Sequence, residues 1–379
     1  MRILLVTNYQ PPHMGGIEYA AQSLKACWER DGHTVTWLST DIPRGGRAST
    51  PDNVRVRAAN FAERWWQINS PLVSPFAYPR ILSLIRAHDV VNVHSLAPGL
   101  STIVLRAALR RQRPVTVTQH VGIIPLGRRW LSQVQKTFVC SMARWAAARN
   151  APITFVGEAV RQWFMEHAGL TADQVHMTPA GIDQATYHFV PDDERARLRA
   201  RWQTDKPGLQ VLFVGRFYDK KGLPLLRTVA ASCPGIRFTL VGSGHHDPAA
   251  WGLPNVRVIK FVSNEELREL YGAHDLFIMP SFGEGWPAVV PQAMACGLAC
   301  LVSEETFTGY GRDRDRFLVA ERTPEAVVAA LTRCAEGLEP LLQQRRACSD
   351  YACRVWDWQR TARQYIDIFS ASLSRPAPL

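Results

Sequence analysis

Short β-branched runs alternate with amphipathic stretches along this chain, stop once, and then resume; no other feature limits its fold so strongly. Residues 2–7, an amphipathic stretch at 17–31 and residues 34–39 make the first strand, helix, strand unit. Two strands joined through a helix lie parallel, because a parallel pair needs a long crossover, and such a sheet is covered on both faces. Further strands are predicted at 54–57, 89–94, 115–119 and 153–156, with helical segments between most of them. Around residues 189–205 the pattern gives way to an Arg-rich stretch opening on Pro191, Asp192 and Asp193. Acids at that point favour a helix start. The alternation resumes at 210–214, 237–241, 256–261, 276–279 and 299–302.

The simplest account is an α/β chain of two Rossmann-like doubly wound domains, at 1–188 and 207–355, joined by a linker at 189–206. A closing helix follows in 356–379, where Trp358, Ala362, Tyr365, Ile366 and Phe369 share one face, before a frayed Pro-rich tail. The length of 379 residues with 46% apolar content suits two ordinary cores. The apolar runs are strand-sized, far short of the ~20 residues that cross a bilayer, and the first residues lack the features of a signal peptide. The expected location is therefore cytoplasmic. The eight cysteines are scattered, with no Cys-x-x-Cys pair, and read as buried free thiols. A formal charge of +11 calls for an acidic partner: nucleic acid, anionic lipid or a phosphorylated small molecule. No helix-turn-helix, aromatic RNA platform or zinc module is recognisable, which argues against nucleic acid.

In doubly wound sheets ligands bind beyond the carboxyl ends of the strands. Four loops there carry chemistry. The first, from Pro11 through His13 to Gly15, Gly16 and Glu18, opens a helix; paired glycines admit a ligand close to the backbone and aim amides at an anion. A tight strand-to-helix turn explains it equally well, and the Gly-x-Gly-x-x-Gly fingerprint of dinucleotide sites is absent. The second carries Arg216 and Lys221, a guanidinium and an ammonium five residues apart that can cradle a diphosphate and supply the charge a metal would otherwise bring. The third, Glu284, Gly285, Trp286, Pro287 and Ala288, places a carboxylate for sugar hydroxyls beside amides for a phosphate. The fourth ends a first-domain strand at His120, which is as well explained by structure as by function.

Taken in order, these segments resemble the family 4 retaining glycosyltransferases, whose two-Rossmann-domain fold is called GT-B. The resemblance runs from the Gly15-Gly16 loop through residues 89–94, His120 and 180–183 to Arg216 with Lys221 and Gly222. It continues through 240–244, Pro280-Ser281 with Glu284-Gly285, and 293–297. It implies an active site in an interdomain cleft and a final helix that crosses back to the first domain. It further implies Arg216 and Lys221 on the donor diphosphate, Gly16 allowing its approach, Glu284 on donor-sugar hydroxyls and His120 near the reacting carbon. No cofactor or metal is implied; the nucleotide diphosphate sugar is a co-substrate, and its departing phosphate serves as base.

Two departures stand out. The family's second Glu, eight positions after the first, is Gln292 here, and a neutral bond to the ribose is weaker by about 1 kcal/mol. Residues 303–311 replace a Gly-Gly turn near the phosphates, so phosphate contacts from this loop are not expected. Asp313-Arg314-Asp315 reads as a solvated charge cluster rather than a metal site.

For the acceptor, residues 123–149 combine Trp130, Val134, Phe138, Met142 and Trp145 at helical spacing with Arg128, Arg129, Lys136 and Arg144. Docking on an anionic membrane surface and core packing explain that stripe equally. Together with Trp65-Trp66 and the cluster of Arg106, Arg110, Arg111 and Arg113, it suggests a first domain peripheral on the inner leaflet and a glycan or lipid-linked acceptor. The alternatives are a nucleotide-sugar 2-epimerase of the same fold, which would consume donor without acceptor, and a non-catalytic sugar-binding subunit, which would not turn donor over.

Overall fold

The structure is a computed structural model and describes residues 1–13, 15–42, 49–60, 71–122 and 129–374. Trp65, Trp66, Met14, Arg128 and the Pro-rich tail lie outside the described residues. The chain forms two compact units, one of residues 1–181 with 358–379 and one of residues 182–357.

Unit 1 is built from β1 (Arg2–Val6), α1 (Gly16–Arg30), β2 (Thr34–Thr40), β3 (Asn53–Val56) and a small antiparallel pair, β4 (Ala58–Ala59) with β5 (Leu72–Val73). There follow α2 (Tyr78–Ala87), β6 (Val90–His94), α3 (Leu100–Leu109), β7 (Val115–Gln119), α4 (Arg129–Ala147), β8 (Ile153–Phe155), α5 (Glu158–Ala168) and β9 (Val175–Met177). The parallel strands run in the order β3-β2-β1-β6-β7-β8-β9. The order reverses between β1 and β6, so the loops leaving those two strands part and open a crevice at their carboxyl ends.

Unit 2 contains α6 (Asp192–Trp202), β10 (Gln210–Val214), α7 (Leu223–Ser232), β11 (Arg237–Val241), β12 (Val256–Ile259), α8 (Asn264–Ala273), β13 (Leu276–Met279) and α9 (Val289–Ala295). It continues with β14 (Ala299–Ser303), α10 (Glu304–Thr308), β15 (Leu318–Ala320), α11 (Pro324–Glu336), α12 (Leu338–Gln343) and α13 (Arg345–Val355). Its order, β12-β11-β10-β13-β14-β15, places the reversal between β10 and β13. Strands such as Ile3 to Val6 and Val211 to Phe213 are buried along their length, as a sheet covered on both faces requires.

The helix expected to start at Asp192 in the linker stretch does form, as α6, and it is packed on the rest of unit 2. On α6, Arg195 and Arg199 both donate to Asp275 Oδ1, at 2.5 and 2.7 Å, while Asp275 Oδ2 accepts the Gln210 N–H. Arg268 of α8 forms a two-pronged pair with Glu194, and Arg201 and Trp202 both reach Glu269. Arg195, Arg199 and Arg201 of the Arg-rich stretch fasten it to the rest of unit 2. The expected domain ends at 188 and 355 thus move to 181 and 357, and Trp356, expected in the closing helix, belongs to the core of unit 2.

The closing helix α14 (Trp358–Leu373) belongs to unit 1 and packs on α1 and β7. Tyr365 and Phe369 meet the buried Trp28 at ring distances of 5.7 and 5.5 Å, and the Trp28 indole donates to Ala362 O. Gly181 has no room for a side chain, since a Cβ would lie 2.4 Å from Trp358 N. No helix among the described residues is long and apolar enough to cross a membrane. All eight cysteines are free, and six of them are buried.

Asp275→Ala should destabilise unit 2 by about 3 to 5 kcal/mol, because it strands two guanidiniums beside a buried strand end. Urea unfolding followed by tryptophan fluorescence checks this; a loss under about 1 kcal/mol would show that the pairs are replaceable by water.

Candidate functional site

In unit 2 the loops after β10 and β13 are held together by backbone contact. Gly222, at φ +80°, lies against Pro280, and a Cβ there would meet Pro280 O at 2.5 Å. The Phe282 N–H donates to Lys220 O. This brings Lys221 Nζ to 3.1 Å from Glu284 Oε2, with Lys220 Nζ 3.8 Å from Oε1. Burial holds the Lys221 ammonium below the ordinary lysine range, Glu284 opposes that, and the like charges of Lys220 and Arg216 add to it. Arg216 is exposed, its guanidinium over the Tyr218 ring, and it forms no ion pair among the described residues. Lys221 and Glu284, distant in sequence, are thus a contact pair, with a further cation beside them.

The motif at residues 240–244 explains itself in the same terms. At Gly242, φ +142°, a Cβ would fall 2.0 Å from Gly215 O, so glycine alone allows the loop after β11 to pack on the loop after β10.

Among the described residues the buried Glu284 Oε1 accepts no hydrogen bond, and the Trp286 indole N–H is likewise without a partner. Trp286 rests on Tyr310, whose hydroxyl donates to Pro287 O. Gly285 is backed by Gly309, where a Cβ would approach Gly285 O to 2.7 Å. Ala288 caps α9, and Gln292 on that helix is half-buried. The segment 303–311 forms the short α10, capped by Ser303, which accepts the Thr306 N–H and donates to Ser281 O. Asp313 accepts the Tyr351 hydroxyl at 2.8 Å, and Asp315 lies near Arg316. Among the described residues no cluster of three His, Cys, Asp or Glu is placed to hold a metal.

In unit 1, Gly15 is the N-cap of α1, and a Cβ on it would lie 2.7 Å from Glu18 Oε2. Around Gly16 nothing lies within 4 Å of an added Cβ. The Glu18 oxygen is the end of a flexible side chain and can move aside, so neither glycine is sterically demanded; Glu18 is a buried carboxylate that the motif reading did not single out as a site residue. Burial raises its carboxyl, while its own backbone amide, His13 and the Gly15 amide act in the opposite sense. His120 leaves the end of β7 half-buried, with Nε2 at 2.9 Å from His94 Nδ1. Gln119 ties the two loops together by accepting the Leu96 N–H and donating to Val121 O. Burial pushes His120 down to about 4 and His94 well below the usual histidine value. His94 was legible in hindsight: Asn92 and His94, two apart in an otherwise apolar strand, are a polar pair on one face.

The amphipathic stripe divides. Met142 and its neighbours Val139, Ala143 and Ala146 are core, and Phe138 and Trp145 pack against that core, whereas Trp130 and Val134 are each 59% exposed. The Arg106 to Arg113 cluster lies at the other end of the sheet, where α3 leads back to the start of β7. Arg111 and Arg113 there donate to the carbonyls of Ala107 and Arg86. They cap helix ends and do not extend the Trp130 surface.

Residues 14–186 match Glycosyltransferase Family 4, and residues 208–336 match Glycosyl transferases group 1. The sulfoquinovosyl transferase of Arabidopsis thaliana is 29% identical over 229 residues, 58% of this chain and 44% of that protein, so this chain spans less than half of it. A GDP-mannose-dependent α-(1-6)-phosphatidylinositol dimannoside mannosyltransferase of Mycobacterium tuberculosis is 25% identical over 98% of this chain and 96% of its own. The structure of Anabaena HepE in complex with UDP shares the fold, with a TM-score of 0.75 at 16% identity, covering 98% of this chain and 100% of that one. With both matched segments falling on the doubly wound units just described, the chain belongs to the family 4 glycosyltransferases and has the GT-B fold.

Proposed function

We propose that this glycosyltransferase moves a hexose from a nucleotide diphosphate sugar to a hydroxyl of a glycan or lipid-linked glycan, with retention of configuration and no bound metal. The observation that carries this reading is the Lys221–Glu284 pair at 3.1 Å with the unpaired Arg216 beside it. Arg216 and Lys221 neutralise the diphosphate as its bond to the anomeric carbon breaks. Glu284, its Oε1 already without a donor, accepts from sugar hydroxyls. The acceptor oxygen bonds to the anomeric carbon on the face the diphosphate leaves, and its proton passes to a diphosphate oxygen. Unit 1 supplies the acceptor side, with His120 accepting from a substrate hydroxyl. The dimannoside mannosyltransferase is named for GDP-mannose and a lipid, and HepE binds UDP, both in keeping with this class.

Lys221→Met removes a charge-assisted bond worth about 1.5 to 3 kcal/mol, so donor affinity should fall roughly 10- to 100-fold. Titration of UDP-glucose and GDP-mannose by thermal shift, with transfer assayed in EDTA, checks this. Unchanged donor binding in the variant, or activity abolished by EDTA and restored by Mn²⁺, would overturn the donor site or the metal-free mechanism respectively.

Gln292→Glu restores the charged ribose contact and should lower donor KM by about fivefold, equivalent to about 1 kcal/mol. A KM that stays or rises counts against a ribose role for this position.

We also propose that unit 1 docks on an anionic bilayer surface. Trp130 and Val134 stand exposed at the start of α4, and Phe76 is 94% exposed just before α2, on a chain of net charge +11. Sedimentation with phosphatidylglycerol vesicles should exceed that with phosphatidylcholine severalfold and drop in Trp130→Ser. Equal binding to both vesicles would point to a water-soluble acceptor.

A further inference from the structure

A buried line of polar side chains in unit 1 ends at His120 and is not used by the proposed chemistry. Asn92 and His94 are fully buried on β6, and β7 places Thr116 and Thr118 beside them in parallel register. Buried polar groups must find partners, and Asn92, His94 and Thr118 do. Asn92 Nδ2 donates to Thr118 Oγ1 at 3.1 Å, which turns Asn92 Oδ1 toward His94 Nε2 at 2.8 Å. A carbonyl oxygen only accepts, so His94 Nε2 carries the proton. A neutral imidazole has one N–H, which leaves His94 Nδ1 as a lone pair facing His120 Nε2 at 2.9 Å. That second nitrogen must then be the protonated one. Neutrality of both rings is what their burial imposes.

We propose that His94 is a positioning residue: oriented by Asn92, it takes the His120 Nε2–H and fixes His120 in the tautomer whose Nδ1 is a bare acceptor for a substrate hydroxyl. The inference rests on the role given to His120 above, and adds which atom of the ring works and what sets it. The far end of the line is anchored on the closing helix. Thr118 Oγ1 lies 2.9 Å from Tyr365 Oη, which also meets Thr154 Oγ1 at 3.2 Å and accepts from Thr178 at 3.0 Å. Five side chains, from Tyr365 through Thr118, Asn92 and His94 to His120, therefore form one continuous path. Reversing the Asn92 amide would reverse every later proton and present an N–H at His120 in place of a lone pair.

Two measurements test this. In the unaltered protein labelled with ¹⁵N-histidine, two-bond ¹H–¹⁵N spectra should show both His94 and His120 protonated at Nε2 and bare at Nδ1; the opposite tautomer at His120 overturns the proposal without any variant having to fold. Kinetically, His94→Phe keeps the ring volume without an acceptor, whereas His94→Asn places an amide oxygen near the lost Nδ1. With UDP-glucose and GDP-mannose as donors, His94→Phe should lower kcat at least tenfold with donor KM within about twofold. His94→Asn should exceed it in kcat at least fivefold. Equal losses in the two variants, or a normal kcat in His94→Phe, overturn the positioning role. His120→Phe separates the two levels. A normal rate there removes the role of His120 itself, and the inference with it; a slow His120→Phe beside a fast His94→Phe removes the inference alone.

Discussion

A half-buried ammonium is unstable without a counter-charge, and in unit 2 the answer to Lys221 is Glu284, 63 positions away along the chain. The two meet because β10 and β13 are neighbours at the point where the sheet order reverses, so their exit loops are adjacent in space though separated in sequence. Backbone-to-backbone packing at Gly222 and Pro280, and at Gly242 and Gly215, sets the height of those loops. A Cβ at Gly222 would meet Pro280 O at 2.5 Å and one at Gly242 would meet Gly215 O at 2.0 Å, so neither backbone contact admits a side chain. The glycines of the second unit are therefore spacers for charge, before they are contacts for a ligand.

Unit 1 solves a different problem with the same topology. Its neighbouring strand ends, β6 and β7, carry polar groups into a covered sheet, and the cost of burying Asn92 and His94 is offset only because each bond has a partner in sequence. The last partner is Tyr365, delivered by a helix from the far end of the chain. That helix also covers Trp28, so one element both seals the core of unit 1 and terminates its polar line. A change at Tyr365 thus reaches the end of β7 through hydrogen bonds, with no contact to His120 needed.

Much of this architecture could be read from the chain because buried parallel strands leave continuous apolar runs, as residues 3–6, 211–214 and 276–279 do. The strands Val175–Met177 and Leu318–Ala320 escaped: three residues show no period, and unlike the equally short Ile153–Phe155 they lie at sheet edges and are only partly buried. The supposed linker misled because arginines near acids look the same whether solvated or paired; what decides is Asp275, 80 residues downstream of Arg195. The pairing of Lys221 with Glu284 and of His120 with His94 was invisible for the same reason: sequence names the groups, and strand order decides who meets whom. Trp130 and Met142 belonged to one helical stripe by spacing, yet the core ends between them, a boundary that only the packing of neighbouring elements draws.

The Lys221–Glu284 pairing also bears on how donor recognition is ordered under the proposed function. A diphosphate brings more negative charge to Lys221 than one carboxylate does, and it can engage Arg216 at the same time. Glu284 is then displaced as the counter-charge. Moving Glu284 gives up its 3.1 Å contact with Lys221, a loss that the diphosphate offsets, and turns an Oε1 that accepts no hydrogen bond among the described residues toward the sugar hydroxyls. Phosphate binding and sugar binding become coupled through one residue: a nucleoside diphosphate frees Glu284 with nothing to grip, while the intact nucleotide sugar supplies both the displacing charge and the hydroxyls that reward it. Under the same proposal the exchange runs in reverse as the product leaves, when departure of the diphosphate returns Glu284 to Lys221 at 3.1 Å.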